Sequence, residues 1–158
     1  MSDIYKTIKK DHDHHRDVLK QIAETSGDTT ERRRLWREFY HDVKAHAAAE
    51  EETFYASLMS KTWGQDKARH SVAEHKELDD IMDELQDMDM SSPGWLNRFK
   101  TLHHDYVHHI EEEEEEVFER AQEVIDSSRA SELGPKFEAR KLKELELVEE
   151  KNLDKLED

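Results

Sequence analysis

Four histidines and two glutamates recur in this chain at a fixed offset. A shift of 63 residues places His12 on His75, His46 on His109 and Glu50 on Glu113. In each half the second histidine follows the first by 34 residues, and the glutamate follows that histidine by four. A four-residue step on a helix puts imidazole and carboxylate on one face, one turn apart. Imidazole suits iron, zinc, copper and nickel, and carboxylate extends the range to harder ions. A duplicated helical hairpin, packed about a pseudo-two-fold axis, would bring four imidazoles and two carboxylates together. That set suits two metal ions, each carboxylate being able to bridge them. Carboxylate-bridged pairs inside four-helix bundles are typically iron or manganese. The high imidazole share favours iron over manganese, and zinc stays open.

The surroundings repeat too: Asp11 falls on Glu74, Leu19 on Met82, Ile22 on Leu85, Phe39 on Leu102, Asp42 on Asp105 and Tyr55 on Phe118. The chain has 11 histidines. His41 and His104 match across the repeat but lie five residues before a candidate ligand, well round the helix from it. His14, His70, His103 and His108 read as surface residues. Tyr55, Phe118 and Trp36 read as core packing. In the run Glu111–Glu116 the register turns Glu113 inward and leaves Glu111, Glu112, Glu114 and Glu115 facing water, with Glu116 at the border.

The elements that must position these groups are helices. With 34% hydrophobic and 41% charged residues, the composition suits a bundle whose helices each need one apolar stripe. Helical periodicity predicts a first helix over about 3–24, with Ile4, Ile8, His12, His15, Leu19 and Ile22 on its stripe. A second runs over about 29–60, started by an Asp28–Glu31 capping box, with Leu35, Phe39, Val43, His46, Glu50 and Phe54 inward. A third covers about 66–88, with Ala68, Val72, His75, Leu78 or Asp79, Met82 and Leu85. The fourth opens at Ser92-Pro93 and reaches about 126–128, carrying Leu96, Phe99, Leu102, Tyr106, His109, Glu113, Val117 and Val124. Short connections imply an all-α, antiparallel, up-down-up-down four-helix bundle over residues 1–130. "LGP" at 133–135 reads as a break. The segment 131–158 reads as an appended charged amphipathic helix with Phe137, Leu142, Leu145, Val148 and Leu156 on a ragged stripe. It could dock on the bundle, pair with another protein or subunit, or remain loose.

The formal net charge of −16 would repel a DNA backbone, so phosphate-mediated nucleic-acid binding is not expected. With no cysteine, disulfides and sites ligated by cysteine from this chain are excluded. No apolar run approaches the roughly 20 residues of a membrane span, and "MSDIYKTIKK" has no apolar signal core. Cytoplasm is the expected compartment.

The segments "KDHDHHR" (10–16), "HAAAEEETFY" (46–55), "AEHKEL" (73–78) and "HIEEEEEEVF" (109–118) resemble the hemerythrin-like (HHE cation-binding) proteins, over about residues 3–126. The resemblance implies a bundle around two non-haem irons with an oxo or hydroxo bridge. It implies His12, His46, Glu50, His75, His109 and Glu113 as ligands, the glutamates bridging. In the oxygen carriers of the family, O2 binds an open position on the diferrous centre. Those carriers use a fifth imidazole on the third helix, where this chain has Ser71 and Asp79. His15 is the first candidate for an additional ligand and Asp79 the second. "HDHHR" also resembles iron–sulfur cluster repair relatives. Three readings follow: reversible binding of O2 or NO for storage, delivery or sensing; a redox or stress enzyme, peroxidase-like or for iron–sulfur repair; and iron sensing or storage.

Overall fold

A computed structural model describes residues 3–157, with side chains through 149. Leu156 and the first two residues of "MSDIYKTIKK" lie outside the side chains so described. Helix α1 spans Ile4–Ala23, α2 Thr30–Glu50, α3 Thr62–Asp87, α4 Pro93–Glu112, α5 Phe118–Ala121 and α6 Ser127–Glu157. Two π-helical segments extend α2 and α4: Glu51–Tyr55 and Glu113–Val117. Among the described residues there is no strand and no helix long and apolar enough to cross a membrane.

The neighbours are antiparallel: Thr25 meets Arg32, His12 meets His46 and Tyr5 meets Phe54. On α3 and α4, Leu85 accepts a bond from the Trp95 indole while His75 meets His109. Buried residues on α1 and α2 follow the expected stripes. On α3 the buried seam steps through Ser71, Leu78, Met82 and Leu85, so Val72, expected inward, is 50% exposed. Two apolar clusters result. One gathers Leu19, Leu35, Phe39, Leu85, Trp95 and Phe99 at the end of the bundle carrying the α1–α2 and α3–α4 loops. The other gathers Ile4, Ile8, Phe54, Leu58, Phe118 and Phe137 at the opposite end. The polar residues of the repeat lie between them.

Local signals explain most ends. Asp3, Thr29 and Ser92 cap α1, α2 and α4 through their side chains. The cap of α2 is thus Thr29, which accepts from the Arg32 amide, while Asp28 pairs with the Arg33 guanidinium. The capping box expected at Asp28 is one residue out of register. Buried Arg32 ties two loops together: it donates to the Thr25 hydroxyl and carbonyl and to the Met90 carbonyl. Gly64 sits where a Cβ would lie 1.9 Å from the Leu58 carbonyl oxygen, so the return from α2 into α3 demands a glycine. The expected start near residue 66 is accordingly replaced by Thr62, and the glycine lies inside the first turns.

The chain's last helix differs most from expectation. Asp126 accepts from the Arg129 amide, so "DSS" opens α6 instead of closing the fourth helix. The helix then continues through Gly134 and Pro135. An interior proline costs about 3 kcal/mol, and burial of Ala130, Leu133 and Phe137 on both sides of it offsets that cost. The seam packs into the groove of α1 and α2. Leu142, one position off it, is 58% exposed. Among the described residues of α6, the large apolar side chains left exposed are Leu142 and Leu147.

Candidate metal centre

The helical stripes bring six side chains of the repeat into one layer. His12, His46, Glu50, His109 and Glu113 are buried, and His75 nearly so. His12 and His46 have ring centroids 5.1 Å apart, and His75 and His109 5.0 Å apart. The two carboxylates lie between these pairs. Glu50 Oε2 is 2.9 Å from His46 Nε2 and 3.9 Å from His12 Nε2, while Oε1 faces His75 Nε2 at 3.5 Å. Glu113 Oε1 is 3.2 Å from His12 Nε2, and Oε2 is 4.0 Å from His109 Nε2. One atom each from His12, His46, Glu50 and Glu113 lies within 4.8 Å of the others, and Glu50, His75 and His109 form a second such set.

All four imidazoles turn Nε2 inward because a carboxylate holds each Nδ1. The partners are Glu114 for His12 at 2.7 Å, Asp11 for His46 at 2.8 Å, Glu51 for His75 at 2.8 Å and Glu74 for His109 at 3.2 Å. Histidines that bind metal are commonly oriented this way. The partners obey the 63-residue repeat as well, Asp11 with Glu74 and Glu51 with Glu114. Glu114 therefore does not face water: it also takes two bonds from Arg16, and Arg16 with His12 holds its carboxyl down at about 2 against the opposing effect of burial. Glu112 is half-buried, whereas Glu111, Glu115 and Glu116 are exposed.

Burial alone disfavours charge on His46, but Asp11 and Glu50 outweigh it and lift the pKa to about 9. Glu50 and Glu51 likewise lift His75 to about 10. Glu50 is held well below the usual carboxylate range, burial being outweighed by His46 and His75. Burial and the charge of Glu50 push Glu113 up. In such a layer protons and cations compete for the same imidazole nitrogens and carboxylate oxygens. Glu50 Oε1 and Glu113 Oε1 are buried without a hydrogen-bond partner. Such an oxygen is costly to bury, and a cation between the imidazole pairs would satisfy both. The donor set fits a pair of ions.

His15 is buried beside His46, ring centroids 5.3 Å apart, but both its nitrogens are engaged. Nε2 lies 2.5 Å from Asp42, and Nδ1 2.6 Å from the Tyr106 hydroxyl. Burial depresses its pKa to about 4. Asp79 lines a narrow cavity beside the layer with Val43, Ala47, Leu78, Tyr106 and Ile110. Tyr55, read from sequence as packing, donates to Glu113 Oε2 at 2.7 Å. Tyr55 closes the π-helical segment Glu51–Tyr55, the kind of local widening that recurs at functional sites. On the outer side of the His12–His46 pair, Phe137 of α6 packs its ring 5.2 Å from that of His46, and Lys141 bridges Asp11 and Asp42, 2.9 Å from each.

Residues 3–121 match the sequence profile of the Hemerythrin HHE cation binding domain family. A solved Hemerythrin HHE cation binding domain-containing protein from Mycobacterium kansasii shares the fold with a TM-score of 0.86 at 24% identity, over 96% of this chain and 92% of that one. Coverage that wide takes in α6. A curated relative from Nostoc sp. named DNA nickase is 24% identical over 140 residues. They make up 89% of this chain, which spans 39% of that protein's length.

Proposed function

The chain belongs to the hemerythrin HHE cation-binding family, and from that premise we propose that it holds two non-haem irons in its central layer and reversibly binds O2 or NO there. The observation that carries this reading is the pair of buried, unpartnered oxygens on Glu50 and Glu113, each carboxylate lying between two imidazole pairs. One ion would be held by His12 and His46, the other by His75 and His109, with Glu50 and Glu113 shared. Iron supplies an open coordination position and reducing electrons for a diatomic ligand. The chain's own residues prepare that chemistry. Asp11, Glu51, Glu74 and Glu114 fix each imidazole so that Nε2 points inward. Tyr55 keeps a hydroxyl hydrogen on Glu113. The apolar clusters above and below keep bulk water from the layer. His15, with both nitrogens taken by Asp42 and Tyr106, supports His46 from behind instead of adding a ligand.

A second reading, a redox or stress enzyme, draws on the cavity beside the layer. Its lining combines apolar groups with the Asp79 carboxyl and the Tyr106 hydroxyl, an acid and a phenol next to a redox metal. Iron sensing or storage is the third reading. The Nostoc relative's name describes a protein much longer than this chain, and the net charge of −16 opposes phosphate-backbone binding. Metal analysis of purified protein comes first, and a chain that neither copurifies with nor takes up a transition metal refutes the site. Anaerobic reduction followed by air then separates the readings. A visible band that forms with O2 and disappears when O2 is removed supports the carrier; immediate oxidation without such a band supports the enzyme.

A further inference from the structure

The repeat holds at the residues around the buried carboxylates and breaks just outside them. His70 and Glu74 on α3 and Glu112 on α4 correspond, by the same shift of 63, to Thr7, Asp11 and Ala49. Thr7 and Ala49 are buried, at 4% and 0% exposure, beneath the face that α6 covers. There Asp11 is neutralised by Lys141. In the other half the side chain that meets Glu74 is His70. His70 Nε2 lies 2.8 Å from Glu74 Oε1 and 3.4 Å from Glu112 Oε1. One ligand atom from each of the three lies within 4.8 Å of the other two. His108 Nε2 stands 3.8 Å from the second oxygen of Glu112. A small pocket is lined both by the more exposed His70, Glu74, Glu112 and Lys67 and by the buried Ser71, His109 and Glu113, so it joins this cluster to the layer, with one lysine beside the two carboxylates.

We propose that His70, Glu74 and Glu112 form a third, external site for a divalent cation, through which ions are loaded into the His75–His109 half of the centre. The destination rests on the two-metal reading above; the external site itself does not. One imidazole and two carboxylates suit Fe²⁺, Mn²⁺ or Zn²⁺. A His70 side chain 54% exposed leaves room for water ligands, so binding is weak and exchange fast. A chain of net charge −16 concentrates cations at such a mouth. Glu74 is shared by the external and internal groups: the Oε1 that meets His70 also holds His109 Nδ1 at 3.2 Å. An ion at the mouth therefore lies one side chain away from the inner ligands. The other half offers no equivalent, since Thr7 and Ala49 replace the ligands and α6 closes over them.

The test compares the full chain with the double variant His70→Ala/Glu112→Gln, leaving Glu74 to orient His109. Anaerobic Fe²⁺ is added to metal-free protein at limiting free concentration and filling is followed in time; Co²⁺ titration then counts ions at equilibrium. Wild type should bind two ions tightly and a third weakly. The variant should keep the two, lose the third, and fill roughly tenfold more slowly. Both losses must appear together. A variant that retains the third ion, or fills at the wild-type rate, overturns the proposal. If wild type fills no inner pair at all, the two-metal reading and the loading role both fail. In that case weak Co²⁺ binding that disappears with His70 still supports the external site, and its absence or persistence overturns that too.

Discussion

Glu113 sits in a run of six glutamates, yet its environment shares little with that of its neighbours. It is buried, bonded to Tyr55 and adjacent to His12, and one of its oxygens has no hydrogen-bond partner. Glu113→Ala should therefore remove bound metal, as measured by metal per chain after dialysis. Glu115→Ala, at an exposed position, should leave metal content unchanged. Glu114→Gln should fall between them, weakening metal binding about ten- to hundredfold, because Glu114 acts through His12. Equal losses in all three would contradict the helical register. The inward set of His12, His46, Glu50, His75, His109 and Glu113 was legible because a spacing of 34 followed by four, met twice, is hard to produce without a shared face. Glu114 and Glu51 were not legible from periodicity, which describes one helix at a time while they reach across to another. The signal was nevertheless present, since the shift that aligns the histidines aligns these two glutamates.

At the scale of elements, periodicity located the four bundle helices, and local punctuation misplaced some of their ends. "LGP" looked like a stop because Gly and Pro disfavour a helix interior. That preference is local, and a seam of Ala130, Leu133 and Phe137 buried against α1 and α2 outweighs it. Two opposite effects follow for chemical denaturation. Pro135→Ala should stabilise the chain by up to about 3 kcal/mol, relieving a proline already inside a helix. Phe137→Ala should cost about 3–5 kcal/mol as a large buried side chain is lost, and should weaken metal retention through the exposed His46 ring. If Phe137→Ala behaves like a surface substitution, α6 is not docked in solution. Gly64→Ala tests the other sharp joint: its Cβ would meet the Leu58 carbonyl, and overpacking of that kind costs about 1–3 kcal/mol. The π segments had no counterpart in the sequence reading. One extra residue in a turn changes no composition and barely disturbs a hydrophobic pattern, and Tyr55, which bonds Glu113, closes one of these segments.

At the scale of the whole molecule, a polar layer separates two apolar clusters, and that arrangement makes the fold depend on what occupies the layer. Two carboxylates and four imidazoles have been taken from water, and two carboxylate oxygens have no hydrogen-bond partner. Each such group carries a desolvation cost of about 1–3 kcal/mol. Because the layer is central, the cost cannot be avoided by local fraying: α1, α2, α3 and α4 each contribute to it. Ions that bind only the folded chain contribute RT ln(1 + [L]/Kd), about 4 kcal/mol when free metal exceeds the dissociation constant a thousandfold. For a domain of this size that corresponds to a rise of roughly 10 °C in melting temperature. Metal-loaded protein should therefore melt about that much higher than chelated protein, and the gap should grow with free metal concentration. The same comparison in Glu113→Ala should show almost no gap, because a carboxylate proposed to hold the metal is gone. In Phe99→Ala, which thins the apolar cluster away from the layer, both forms should melt lower and the gap should persist. Coincident melting of loaded and chelated wild-type protein would mean that protons on the imidazoles satisfy the layer as well as cations do, and the central groups would then have to be read as a polar core.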